Sequence, residues 1–134
     1  MNRILIVLFL AIGLTSQAQE RREDGTLYDG NLTFQVVEEN LRNEGTMLVC
    51  ILNEANGRCV QNLIAPFEVL VYNQNDEQIW NSLWTGQNMD LKFKVPMRGA
   101  KYVIIQARAD FVVNSRTGTR IYTDGPMTVK YELE

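Results

Sequence analysis

Histidine is absent from the 134 residues, which removes the commonest general base and the commonest zinc ligand. Serine, cysteine and zinc hydrolases of the usual kind are therefore disfavoured. No glycine-rich phosphate cradle, no Asp-x-Asp-x-Asp calcium spacing and no close Cys-x-x-Cys pair occurs. No catalytic, cofactor-binding or metal-binding residue is expected, and no cofactor. Basic clusters are missing too: 13 Lys and Arg face 16 Asp and Glu, for a net charge of -3, which argues against nucleic acid as a partner. There is no internal repeat, no low-complexity run and no convincing helical period.

The one long apolar run, Ile4 to Leu14, stands behind Arg3 and ahead of Thr15-Ser16-Gln17-Ala18. It is too short to span a bilayer and has the order of a cleaved secretory signal. This predicts a signal peptide over residues 1–18, a mature start at Gln19, no lipid-anchoring cysteine, no membrane span after cleavage, and a secreted or periplasmic location. Residues 19–30 are charged and glycine-punctuated and are expected as a flexible leader. Residues 31–134 are expected as a single domain.

What fills that domain is strand pattern. Met89, Leu91, Phe93 and Val95 alternate with Asp90, Lys92 and Lys94; Pro96-Met97-Arg98-Gly99 then turns a corner into Lys101 to Phe111. The first strand has one apolar face. The second carries Val103, Ile105, Ala107, Ala109 and Phe111 on one parity and is expected mid-sheet. Leu32, Phe34 and Val36, then Thr46 to Leu52, give earlier strands; Phe67 to Asn73 and Gln78 to Trp84 form a hairpin around Asn73 to Glu77. Arg120 to Tyr122 returns from a long hairpin whose tip holds Gly118, and Met127, Val129, Tyr131 and Leu133 end the chain with clean alternation. The expectation is an all-β fold, an antiparallel immunoglobulin-like β-sandwich of about seven to eight strands.

Cys50 and Cys59 are the only cysteines, and export favours a disulfide between them over two buried thiols. If the turn is Glu54 to Gly57, Leu52 faces Cys59 and the two sulfurs lie diagonally on one face; a one-step tighter register would put them directly opposite.

Val95-Pro96-Met97-Arg98-Gly99-Ala100-Lys101-Tyr102, followed by Val103 to Ala109, resembles the E to F corner of fibronectin type III and other immunoglobulin-like domains. That resemblance implies that the Tyr102 hydroxyl ties the corner to upstream backbone. Gln106 and Arg108 depart from the family's pattern by sharing the tyrosine's parity. More broadly, the signal followed by Phe67 to Asn73, Ile79-Trp80, Leu91 to Val95 and Arg98 to Ala107 is similar to small exported sandwich proteins of Bacteroidetes type. Phe67 to Ser82 also resembles a family of bacterial proteinase inhibitors built on the same kind of sandwich.

Two surfaces are candidates for recognition. Trp80 and Trp84 share one parity of their strand, Ile79 and Leu83 the other, so both sets cannot be dry at an edge. Either the tryptophans fill the core and Leu83 is exposed, or Trp80, Trp84 and Tyr72 make an aromatic patch for a protein or glycan partner. The second surface is the hairpin tip with Arg116 and Arg120. The reading these features favour is a non-enzymatic binding or accessory module of the cell envelope. An inhibitor of a secreted protease is the alternative. A carboxylate-based glycan-acting enzyme using Asp76-Glu77 or Glu38-Glu39 stands third.

Overall fold

The structure is a computed structural model and describes residues 20–21, 25–85 and 89–134. The predicted signal peptide, residues 1–18, lies outside the described residues. Among those described there is no helix, and so none long and apolar enough to cross a membrane.

Thirteen strands follow one another: β1 (Glu20–Arg21), β2 (Leu27–Tyr28), β3 (Leu32–Asn40), β4 (Thr46–Asn53), β5 (Arg58–Cys59), β6 (Leu63–Ile64), β7 (Phe67–Asn73), β8 (Gln78–Trp84), β9 (Asp90–Lys92), β10 (Ala100–Ala107), β11 (Phe111–Asn114), β12 (Arg120–Tyr122) and β13 (Thr128–Glu132). The expected seven or eight strands are exceeded because bends cut long strands into pieces and two-residue pairings add short ones. One sheet has the order β13-β10-β7-β8; a second has β3-β4-β5, with β9 also on β4; a third runs β1-β2-β12-β11-β6. All pairs are antiparallel except β2 with β12.

Period-two burial builds the core. Met47, Val49 and Ile51 of β4 point inward, as do Val69 and Val71 of β7 and Val103, Ile105 and Ala107 of β10. The Phe34 and Phe67 rings, 5.3 Å apart, join the β3 layer to the β7 layer. β10 lies between β7 and β13, the mid-sheet place expected of it.

Two expectations change. Phe111 does not share the buried parity of Ala107: the chain bends at Arg108 to Asp110, Val112 is the buried residue, and Phe111 is half-buried. Val95 is 49% exposed, because the ladder of β9 stops at Lys92 and only Leu91 and Phe93 stay buried. Within residues 19–30, β2 joins β12 in parallel and the Asp29 N–H donates to the Tyr122 carbonyl at 2.8 Å.

Corner chemistry holds the layers in register. Gly45, at φ +70°, accepts from the Phe93 N–H at 2.7 Å, and the buried Met97 donates its N–H to Leu41 at 2.8 Å. The corner after β9 is thereby bonded to the turn between β3 and β4. Leu52 pairs with Cys59, so Cys50 reaches Cys59 diagonally across β4 and β5 on the outer face, with Cα atoms 5.8 Å apart in the disulfide.

Candidate functional site

The hairpin of β7 and β8 begins from a polar turn that organises itself. Asn73 Oδ1 accepts from the N–H groups of Asn75 and Glu77 at 2.9 and 3.0 Å, its amide donates to Glu77 Oε1, and Asp76 takes the left-handed conformation at φ 61°. Asparagine and aspartate tolerate such roles because their short polar side chains satisfy local backbone groups.

From that turn β8 runs back along β7 as the last strand of its sheet. Five large apolar residues are exposed among the described residues, and three of them, Ile79, Trp80 and Leu83, lie on β8. Leu83 is the most exposed, at 56%. It faces outward opposite Glu68, next to Asn81, whose amide donates to Glu68 Oε2 at 3.4 Å. Val71 pairs with Trp80 and Tyr72 with Gln78, so Ile79 is the extra residue of a bulge.

The two tryptophans part company. Trp84 is half-buried, with its ring 6.3 Å from Phe67 in a stacked arrangement and 5.3 Å from Phe93 edge-on. It belongs to the core. Trp80, on the same side of β8 but opposite Val71, remains 37% exposed at the rim.

Tyr72 is on the other face of the sheet, so the three aromatic residues do not make one patch. Its ring stacks on Tyr102 at 4.9 Å, with planes 8° apart. The Tyr102 hydroxyl donates to Asp76 Oδ1 at 2.9 Å rather than to upstream backbone, and Lys130 Nζ lies 4.3 Å from its ring centre. Partial burial, then the hydrogen bond and charge of Asp76, push the Tyr102 phenol above its ordinary value. This cluster escapes a sequence reading because Asp76 is 26 residues away. The facing of Tyr72 and Tyr102 across β7 and β10 is the signal that could have found it.

Arg116, in the turn between β11 and β12, and Arg120, on β12, lie at the far hairpin and are not brought to β8. Asn114 Oδ1 accepts from the Arg116 N–H at 2.9 Å, which shapes the tip. The Arg120 guanidinium sits 4.4 Å from the Phe111 ring centre and so covers an aromatic neighbour.

Three of the four candidate carboxylates are engaged locally. Asp76 holds Tyr102, Glu77 holds Asn73, and Glu39 accepts from the Leu41 N–H at 3.0 Å. Glu38, Glu39, Glu44 and Asp90 line one open groove, and no group of three or more potential metal ligands gathers among the described residues. Compared with known proteins, the chain matches no family model, no curated protein and no solved structure.

Proposed function

We propose that this chain is an exported, non-enzymatic interaction module, an immunoglobulin-like sandwich that binds a protein partner along β8. The observation that carries the reading is the concentration of exposed Ile79, Trp80 and Leu83 on an edge strand. Edge strands present unpaired N–H and C=O groups that can add a strand from outside, while alternate side chains supply selectivity. Export is supported by the Ile4 to Leu14 run behind Arg3 and by the stapling of Cys50 to Cys59. The immunoglobulin-like reading is supported by the order β3-β4-β9 in one layer and β13-β10-β7-β8 in the other.

The test compares the mature wild-type chain with a Trp80→Ala, Leu83→Lys double variant in affinity capture and cross-linking on the host's envelope fraction. Both side chains are exposed, so circular dichroism should be unchanged. A partner held by the wild type and lost by the variant is the expected result. Equal capture by both would sink the edge as the binding site.

A further inference from the structure

The sheet edges of this molecule are not alike. β13, at the opposite end of the same sheet, carries Lys130 and Glu132; β3 carries Glu38 and Glu39. β1 is Glu20-Arg21, β5 contains Arg58, β9 contains Asp90 and Lys92, and β6 is two residues long. Charge and shortness are the usual ways in which an edge is kept from pairing with another chain. β8 has neither. Gln78-Ile79-Trp80-Asn81-Ser82-Leu83-Trp84 contains no charged residue, no proline and no glycine over seven residues. Its single protective device is the bulge at Ile79, which leaves Asn81 to Trp84 in regular register with β7.

Building on the edge-binding reading above, we propose that the occupant of β8 is the β8 of a second copy, added antiparallel about a two-fold axis at Ser82. The two four-stranded sheets then become one continuous sheet. The sequence of the strand is self-complementary in this direction only. Antiparallel addition about Ser82 sets Trp80 of one copy opposite Trp84 of the other on the inner face, apolar against apolar, and brings Ser82 opposite itself, with Asn81 beside Leu83 on the outer face. Parallel addition would instead set Asp76-Glu77 against Asp76-Glu77, with like charges directly opposed. In the antiparallel arrangement these acidic turns go to opposite ends, separated by a strand of about 23 Å, well beyond a screening length of roughly 8 Å at physiological ionic strength.

Sedimentation velocity on the mature chain, over micromolar to submillimolar concentrations, tests the proposal. The wild type should sediment as a dimer. Leu83→Lys should halve the mass with an unchanged circular dichroism spectrum, and Asn81→Lys, at a second exposed position, should do the same. Val37→Lys, which charges an exposed apolar residue on β3, should leave the dimer intact. A wild type that is monomeric throughout, or a dimer that survives both β8 variants, overturns self-pairing. A monomer that still loses an envelope partner with Leu83→Lys overturns self-pairing alone and assigns the edge to a strand of another protein. A monomer with unaffected capture removes the edge-binding reading as well.

Discussion

At Tyr102 one hydroxyl links three parts of the chain, because it lies in β10, stacks on Tyr72 of β7 and donates to Asp76 in the turn beyond. Burial and the neighbouring carboxylate both favour the neutral phenol, so its folded pKa lies above the unfolded value of about 10. Stability tied to this proton is therefore intact below pH 10 and is lost as pH rises through the folded value. Asp76→Asn keeps an oxygen acceptor and a residue tolerant of positive φ while removing the charge. The phenolate absorbance of Tyr102, read as the difference between variant and wild type, should then appear at lower pH. A titration unmoved by the change would remove the carboxylate from the account. The tryptophans supply a second contrast. Trp84→Ala should cost about 3 kcal/mol, as expected for removing a large ring from a packed site, and Trp80→Ala only about 1 kcal/mol. In denaturant titrations, equal losses would contradict their different placement; in fluorescence, the blue-shifted emission should vanish with Trp84.

Among the elements, the corner joining β9 to β10 shows what a strand pattern can and cannot reveal. The alternations of β7, β10 and β13 were legible because a period of two ties parity to face. Phe111 was not, since the bend at Arg108 to Asp110 resets parity without any apolar mark in the sequence. Strands β1 and β2 escaped for another reason: each is two residues long, and β2 is held by a parallel neighbour nearly a hundred residues later. The diagonal placing of Cys50 and Cys59 follows from a turn at Glu54 to Gly57, and the pairing of Leu52 with Cys59 selects it over the tighter register that would have set the sulfurs directly opposite. The site was half legible, because shared parity placed Trp80 and Trp84 on one side of β8, whereas their different depths follow from where β8 ends against Phe67 and Phe93. Glycine geometry gives this scale its prediction. Gly57 and Gly45 both have positive φ, but a Cβ on Gly57 would meet open space and one on Gly45 would stand 2.7 Å from the Val95 carbonyl oxygen. Gly57→Ala should cost about 1 to 2 kcal/mol and Gly45→Ala about 2 to 4 kcal/mol, the backbone term plus the clash. Chemical denaturation that ranks them equally would mean that the corner yields freely.

For the molecule as a whole, the aromatic chain Phe34, Phe67, Trp84 and Phe93 runs from one layer to the other and makes them share a core. The long hairpin binds a second pair of sheets together. Residues 100–114 and 120–132 each pass through the sheet of β10 and the sheet of β11, and the Ala107 and Thr123 N–H groups bridge the bend to Met127 and Asp110 at 2.7 and 2.8 Å. Neither sheet can melt without stripping partners from the other. The tip of that hairpin, Ser115 to Thr119, is exposed and closed by the Gly118 N–H donating to Asn114 at 2.7 Å. A chain severed there would leave a C-terminal piece embraced by β10 on one side and, through β12, by β2 and β11. The tip is thus a natural seam for dividing this protein into two halves that reassemble, with the shorter half serving as a detachable tag.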